Sequence, residues 1–360
     1  MDAIQREHGE GTRAMARATD WIISTYVGSG TQGYAGDGGP AGQALLNNPF
    51  DLAFDVDGNL VFSDTFNHVI RRVDAVSGIV STIAGTGERG FSGDGGLAVH
   101  AALNEPYGVV ADRAGNIFFA DRLNRRVRKI DGSGTISTLA GDGSGKYSGD
   151  GGAAAIAGLA EPNGLALNAA QTHLYIADVA DHRVRVVELA SGTIATFAGT
   201  GDGKHDGDGG QAHAAGIFGA RAVAFAPDGA LYVMERQGSS IRRIRDGIIE
   251  TIAGSGARAY AGDGGPARDA VFAAPKEMAV DPAGNIYVVD TENHAIRLID
   301  HATGIVDTIA GNGSAGPGGD GGPATGAGLA RPHGIVIGPD GAAYIGDSEN
   351  HRVRKIVRAG

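Results

Sequence analysis

Five ionisable side chains in the second half of the chain have the types that general acid–base catalysis requires. They are Arg221, Glu235, Lys276, Glu277 and His333. Neighbouring groups of like and unlike charge shift one another's pKa values, which adapts such a cluster to proton transfer. We expect Glu277 or Glu235 to act as the base and His333 as the acid or proton shuttle. Arg221 or Lys276 is expected to stabilise an anion that develops in the transition state.

A short motif of the form Pro-x-Gly carries most of these candidates. Its copies are PFD (49–51), PYG (106–108), PNG (162–164), ARA (220–222), PKE (275–277) and PHG (332–334). The middle residue differs in every copy, and Asp51 and Glu277 replace the glycine. Variation inside a fixed frame is what a ring of specificity-determining residues is expected to show. We therefore expect Phe50, Asp51, Tyr107 and Asn163 to bind substrate, with the two aromatic rings as an apolar wall.

The tetrapeptide GDGG occurs six times, and its spacing shows how the chain is organised. Its aspartates stand at positions 37, 94, 150, 208, 263 and 320, which gives a period of about 57 residues. Each loop offers one carboxylate, whereas a calcium site needs about six to eight oxygen ligands. A phosphate-binding loop needs a helix that follows it and usually a lysine, and the GDGG motif comes with neither. GDGG is therefore predicted to be scaffold, with glycines at positive φ and an aspartate that caps nearby amides.

Each repeat is predicted to contain four short strands, named A to D in chain order. Within residues 49–85 the runs DLAFD, LVFSD, HVIRRVD and IVSTIAG alternate with turns that contain DG or SG. Four-stranded antiparallel sheets at this period predict an all-β fold, a six-bladed β-propeller. The sixth repeat lacks strand D, and the run IISTYVG (22–28) precedes the first GDGG. We predict that this N-terminal strand completes the last blade and closes the ring as one strand plus three.

The propeller geometry predicts where the Pro-x-Gly residues meet. Strand A is the innermost strand of a blade, and its start lies on the same face as the turn between strands B and C. The residues that precede strand A should therefore ring the mouth of the central channel. An alternative is that this mouth is wet, so that polar residues there vary without a function.

Two further patterns recur in the segment from strand B to strand C. Acidic residues stand at positions 64, 121, 178, 235, 290 and 347, and an arginine follows each of them seven positions later. The constant offset predicts a structural ion pair in every blade. Histidines recur at positions 68, 182, 294 and 351, and we expect them to be hydrogen-bonding struts rather than metal ligands.

The same segments resemble a known repeat family. DTFNHVIRR, DTENHAIRL and DSENHRVRK, with DRLNRRVRK and DVADHRVRV, look like NHL repeats, and the resemblance covers residues 22–357. It implies a single NHL-type propeller over residues 22–360. Residues 1–21 lie outside the repeats, and we expect an extension that is helical or, because of its glycines, disordered. Propellers of this family include protein- and RNA-binding platforms and a lyase, and related folds include lactonases and synthases. The resemblance therefore implies the fold and leaves the function open.

The residues and the resemblance leave three possible functions. The first is a small-molecule enzyme or binder, acting as a lyase, isomerase, cyclase or hydrolase without a cofactor. The second is a non-catalytic protein-interaction platform. The third is a hydrolase that resembles the related lactonases, in which Asp51, Asn163, Glu235 and Glu277 match by type the oxygen ligands of a divalent cation such as calcium.

The composition limits the kinds of partner that we expect. A formal net charge of −11 argues against a nucleic-acid partner, which needs a concentrated positive face. No run of about 18 apolar residues is present, so we expect no membrane span. The start of the chain has no apolar segment typical of a secretory signal, and there is no cysteine. We therefore expect a cytoplasmic protein whose partner is a small molecule.

Overall fold

Residues 21–359 are described in a computed structural model. They form six antiparallel sheets. In each sheet strands A, B, C and D follow one another from the inner edge outward, and neighbouring strands are hydrogen-bonded. Each strand A contacts strand A of the next blade around a central channel. This is the predicted six-bladed β-propeller. In this part of the chain the helical segments are three-residue 3-10 turns, and no helix is long and apolar enough to cross a membrane.

The 25 strands fall into blades as follows. Blade one consists of β2 (Pro49–Phe54), β3 (Leu60–Asp64), β4 (Val69–Val73) and β5 (Val80–Ala84). Blade two consists of β6 (Pro106–Ala111), β7 (Ile117–Asp121), β8 (Arg126–Ile130) and β9 (Ile136–Ala140). Blade three consists of β10 (Pro162–Leu167), β11 (His173–Asp178), β12 (Arg183–Glu188) and β13 (Thr193–Ala198). Blade four consists of β14 (Ala220–Phe225), β15 (Leu231–Glu235), β16 (Ser240–Arg245) and β17 (Ile248–Ala253).

The last two blades differ slightly from the others. Blade five consists of β19 (Glu277–Val280), β20 (Ile286–Asp290), β21 (Ala295–Ile299) and β22 (Ile305–Ala310), and the two-residue strand β18 (Gly265–Pro266) pairs with β22. Blade six consists of β23 (Gly334–Ile337), β24 (Ala343–Asp347), β25 (Arg352–Arg358) and β1 (Trp21–Val27).

Strand β1 closes the ring as predicted. It pairs antiparallel with β25, from Trp21 opposite Arg358 to Val27 opposite Val353. The strand begins at Trp21, one residue earlier than the sequence indicates, and the indole is buried beside Ile23 and Ile356. The remainder of the proposed extension, residues 1–20, lies outside the described residues.

Hydrophobic side chains are buried mainly between neighbouring blades rather than in one central core. Six of the clusters among residues 21–359 each join two consecutive blades, including the seam between blades six and one. A seventh, small cluster lies at the channel and contains Phe50, Tyr107 and Ala120. The repeat therefore positions the channel residues by stacking blades around them.

The GDGG loops are scaffold, although their aspartates have a role that we did not predict. The first and third residues of the motif have positive φ in every copy, for example 98° at Gly36 and 79° at Gly38. Each aspartate forms a salt bridge of 2.6–2.8 Å with an arginine on strand C of the following blade. The loops also lie against strand D of that blade and so cover its outer edge.

The predicted ion pair between strands B and C is present in five blades. In blade two, for example, Arg128 Nη1 lies 3.1 Å from Asp121 Oδ2, and both side chains are buried. Blade three is the exception and corrects the prediction. There Arg185 donates to the carbonyl of Gly158, while Asp178 accepts the backbone N–H groups of Ala160 and Glu161.

The recurring histidines are struts between blades, as expected. His68 Nδ1 accepts the backbone N–H of Glu105 at 3.1 Å, which joins the B–C turn of blade one to the start of blade two. The other three histidines make the same contact with the blade that follows theirs. All four have a left-handed backbone, with φ between 53° and 56°.

Candidate functional site

The middle residues of the Pro-x-Gly frames lie where the pairing between strands A and B is interrupted. In blade two, Pro106 pairs with Asp121 and the regular register resumes only at Val109, which leaves Tyr107 and Gly108 outside it. Blades one, three and four show the same interruption, and in blades five and six strand A begins after the middle residue. The side chains at this position are therefore free of the sheet and meet at the channel.

The side chains at these positions are buried. Each is at most 7% exposed, and the set is Phe50, Asp51, Tyr107, Asn163, Arg221, Lys276, Glu277 and His333. Ionisable groups at this depth are costly unless they are paired.

Aromatic stacking holds one side of the ring. The imidazole of His333 stacks on Phe50, with ring centroids 4.0 Å apart and an interplanar angle of 3°. Phe50 also contacts Tyr107 at a centroid distance of 4.9 Å. The guanidinium carbon of Arg221 lies 4.2 Å from the centroid of Tyr107, in the geometry of a cation–π contact. Four middle residues, from blades six, one, two and four, are thus in contact.

Lys276 and His333 form a hydrogen-bonded pair. His333 Nδ1 lies 2.8 Å from the carbonyl oxygen of Arg331 and must donate to it, so Nε2 accepts from Lys276 Nζ at 2.7 Å. Burial, with the charges of Arg221 and Arg331, lowers the pKa of Lys276 to about 6. Burial and the neighbouring Lys276 hold the pKa of His333 well below its usual range. Both groups are therefore neutral at physiological pH.

Asp51 and Glu277 have the opposite shift. Burial raises the pKa of Asp51 to about 7, even though its oxygens accept the backbone N–H groups of Leu52 and Val109. Burial and the charge of Asp51 raise the pKa of Glu277 well above its usual range. Glu277 Oε1 accepts the N–H of Met278 at 3.0 Å. The mouth thus combines neutral bases with carboxyl groups that hold protons near neutral pH.

The glycine of the frame is required by the close approach of neighbouring A strands. A Cβ atom at Gly108 would lie 2.1 Å from the carbonyl oxygen of Asn163, and one at Gly334 would lie 2.0 Å from that of Phe50. Acids replace this glycine at Asp51 and Glu277, where the seam between blades admits a side chain. The departures from the repeat are therefore local changes of packing as well as of charge.

Four buried polar atoms in the ring have no hydrogen-bond partner among the described residues. They are Tyr107 Oη, Asn163 Oδ1, Arg221 Nε and Glu277 Oε2. These residues come from blades two to five, so the unpaired atoms line one arc of the channel. Buried polar atoms are normally paired, and a cluster without partners indicates a place for water or a ligand.

A charged rim lies around the ring, and the sequence analysis missed it. Arg331 bridges Glu292 and Glu349 at 2.7 and 2.9 Å, and Glu292 Oε1 is 3.9 Å from Lys276 Nζ. On another side Arg122 bridges Glu105 and Glu161. These residues belong to B–C turns or directly precede the Pro-x-Gly frame. These positions vary between repeats, and they lie on the face where the B–C turns and the starts of strand A were predicted to meet. That variation is the sequence signal that could have identified them.

Glu235 lies apart from the ring that the other candidates form. It ends strand B of blade four, where its Oε1 is 3.1 Å from Arg242 Nη1 and its Oε2 accepts from Ser240 at 3.0 Å. His205 also hydrogen-bonds to this carboxylate. Glu235 therefore occupies the scaffold ion-pair position that aspartate holds in the other blades.

The donor set of a divalent-cation site is not assembled. Both oxygens of Asp51 already accept backbone N–H groups, and Glu235 is held by Arg242. Residues 21–359 contain no group of three or more histidine, aspartate or glutamate side chains that could hold a metal ion. The residues present do not fit the calcium alternative.

Two clefts lie on the face opposite the mouth. The larger, of about 790 Å³, is bordered by the A–B and C–D turns of blade five and includes Asp300 and His301. The smaller, of about 410 Å³, lies between blades two and three and includes Lys129. Neither contains a residue of the channel ring.

Comparison with known sequences agrees with the repeat assignment. The family profile described as NHL repeat matches residues 329–356, and the one described as Teneurin NHL domain matches residues 86–148 and 256–317. The chain is 32% identical over 303 residues to Teneurin-3 of Danio rerio, in an alignment that covers 71% of this chain and 11% of that protein. It is 27% identical over 291 residues to Protein SUPPRESSOR OF QUENCHING 1, chloroplastic, of Arabidopsis thaliana, covering 76% and 26%. The chain thus spans about a tenth and about a quarter of these relatives.

Solved structures of similar fold include binding proteins and enzymes. An auxiliary nutrient binding protein from Bacteroides ovatus has a TM-score of 0.68 at 15% identity, over 94% of this chain and 77% of that one. A gluconolactonase from Xanthomonas campestris has a TM-score of 0.60 at 14% identity, over 95% and 91%. A streptogramin B lyase has a TM-score of 0.53 at 16% identity, over 94% and 98%. At these identities the likeness concerns the fold alone.

Fold and channel together define a six-bladed propeller of the kind used by enzymes and by binding proteins. The chain belongs to the NHL-repeat β-propellers.

Proposed function

We propose that the protein binds a small polar molecule at the channel mouth and transforms it by general acid–base catalysis. The four buried, unpaired polar atoms of Tyr107, Asn163, Arg221 and Glu277 are the observation that carries this proposal. They occur at positions where the repeat is broken, whereas the other recurring unpaired atoms, the Nε atoms of strand C arginines, repeat from blade to blade. Binding of a ligand would supply their missing partners.

The protonation states support roles that differ from those expected from residue type. Neutral Lys276, with His333 behind it, is the base, because an amine with a pKa of about 6 is free to accept a proton at neutral pH. Glu277 is the acid, because its raised pKa keeps a proton available. Arg221 binds the anionic part of the ligand, and Phe50 and Tyr107 form the wall. Such a set suits the proton transfers of lyases, isomerases, cyclases and hydrolases.

The test is a screen of small molecules for a rise in melting temperature, repeated on variants. A ligand of the mouth should lose most of its shift in Arg221→Ala and Glu277→Gln, and keep it in Asp300→Asn, which alters the cleft on the opposite face. A ligand whose shift disappears only in Asp300→Asn binds the cleft. If every ligand found behaves in that way, the proposal is wrong.

A protein-interaction platform is a second candidate, favoured by exposed aromatic side chains. Tyr34, Phe66, Phe91, Tyr147 and Tyr260 are each 40–50% exposed. Four of them, Tyr34, Phe91, Tyr147 and Tyr260, also lie within about 5.5 Å of a strand C arginine, which gives them a scaffold role. A partner protein bound there should be weakened by Phe66→Ala and unaffected by Lys276→Met. A cytoplasmic location stays a prediction.

A further inference from the structure

Lys276 is placed to act as a nucleophile as well as a base. Its side chain is 4% exposed, and the carboxylate nearest to it, Glu292, is 3.9 Å away and already bound by Arg331. An ammonium ion at this depth would therefore lack a close counter-ion and would face the charges of Arg221 and Arg331. A neutral amine is favoured, and a neutral amine is the nucleophilic form.

The orientation of His333 completes this arrangement. Its ring is fixed by the stack on Phe50 and by donation from Nδ1 to the carbonyl of Arg331, so Nε2 must face Lys276. The amine donates one N–H to Nε2. Its lone pair is left for another partner, and Nε2 can receive the proton that the nitrogen loses on attack.

Arg221 indicates the charge of the ligand. Arg221 is a buried cation that forms no salt bridge within residues 21–359, where its guanidinium lies over the ring of Tyr107 and its charge acts on the carboxyl groups of Asp51 and Glu277. A buried cation without a carboxylate partner is costly, and an anion supplied by a ligand would remove that cost. Arg221 and Lys276 are the middle residues of consecutive frames, so a short molecule reaches both.

We infer that the channel mouth binds a small 2-oxo acid whose carboxylate pairs with Arg221 and whose carbonyl carbon forms an imine with the Lys276 amine. This inference rests on the proposed function of the same site. Glu277, with an unpaired Oε2, is the proton donor to the carbonyl oxygen.

The reaction balances without an oxidant or a reductant. Lys276 Nζ forms a bond to the carbonyl carbon, the π bond of the carbonyl breaks, and its oxygen takes a proton from Glu277. The nitrogen releases one proton to His333 Nε2, which gives a neutral carbinolamine. The carbon–oxygen bond then breaks, the oxygen leaves as water with the proton returned by His333 Nε2, and the nitrogen passes its remaining proton to the Glu277 carboxylate, which restores both groups. The products are the imine and one molecule of water.

Reductive trapping tests the inference. The full-length protein is incubated with pyruvate, glyoxylate or 2-oxoglutarate together with sodium cyanoborohydride, and the modified lysine is located by peptide mass spectrometry. We expect an adduct on Lys276 in at least about tenfold excess over each of the other lysines near pH 7, because burial favours the neutral, nucleophilic amine at Lys276. Those internal references are Lys129, Lys146, Lys204 and Lys355.

Variants and pH give independent readouts. Lys276→Arg should abolish the adduct, Arg221→Ala should raise the probe concentration needed by about tenfold or more, and Lys355→Arg should change neither. Trapping should rise with pH through about 6, where the amine loses its proton. Burial is the main cause of this value, and the charges of Arg221, Arg331, Glu292 and Arg236 also act on it, while His333 faces the amine through its hydrogen bond.

Failure of the inference is distinguishable from failure of the proposed function. If a probe binds in calorimetry, loses affinity in Arg221→Ala and yet gives no Lys276 adduct, the imine is wrong and the binding site stands. If none of the three probes modifies Lys276, or if the surface lysines react equally well, the inference is overturned, and the ligand screen on the mouth variants decides the proposed function separately.

Discussion

Asp51 and Glu277 show at the residue scale what a broken repeat can and cannot reveal. The Pro-x-Gly frame is visible in the sequence, and the acids stand out because they replace its glycine. Their protonation is not visible there, because the raised pKa values come from burial between A strands of different blades. The same burial makes Lys276 a neutral amine, although its residue type indicates a cation.

The pH dependence of stability should report the buried carboxyl group of Asp51. Its pKa is about 7 in the folded protein and near 3.8 in an unfolded chain, so the folded state binds the extra proton between these values. The contribution is therefore largest at low pH and is lost as the pH rises through about 7. We expect the free energy of unfolding of the parent, relative to Asp51→Asn, to be greater at about pH 4.5 than at about pH 8.

Urea denaturation at the two pH values measures this difference, which should exceed about 1 kcal/mol, since one unit of pKa shift corresponds to about 1.4 kcal/mol. An effect of the substitution that is the same at both pH values would show that the carboxyl group titrates normally.

Strands and loops illustrate the element scale. The hairpin turns and alternating runs predict every blade, because local turn chemistry and the repeat agree. The contact between each GDGG aspartate and the strand C arginine was not predicted, although a constant offset of 34 or 35 residues separates the two. Opposite charges at this fixed separation therefore predict an ion pair between the loop and strand C, just as the offset of seven residues predicts one within the hairpin.

The closing strand gives a prediction at the same scale. Deletion of residues 1–28 removes β1 with its buried Ile23, exposes the edge of β25 and uncovers the core that contains Ile356. We expect a fall in melting temperature of about 10 °C or more, or loss of soluble protein. Deletion of residues 1–20 retains β1 and is the matched control. Equal melting temperatures for the two truncated proteins would contradict closure by β1.

The whole molecule explains why the fold could be predicted and the site only in part. Six similar repeats define a ring, and the ring brings the middle residues of the frames together, as the sequence predicts. Burial of those residues depends on how closely six A strands approach one another, which no single repeat contains. Glu235 was misleading for the same reason, because only the folded blade shows that it takes the position of a scaffold aspartate beside Arg242.

The free energies of unfolding of Glu277→Gln and Glu235→Gln at about pH 8 test most directly whether function lies where the repeat is broken. Both acids are buried, but Glu235 is paired with Arg242, whereas Glu277 has an unpaired oxygen and no salt bridge among the described residues. Replacing a scaffold acid by glutamine should lower the free energy of unfolding by about 2 kcal/mol or more. Replacing a functional acid, which is kept at a cost to stability, should change the free energy of unfolding by no more than about 1 kcal/mol or raise it. We predict this contrast between Glu235→Gln and Glu277→Gln. Equal and large losses in both variants would show that Glu277 is scaffold and would contradict the functional assignment of the channel mouth.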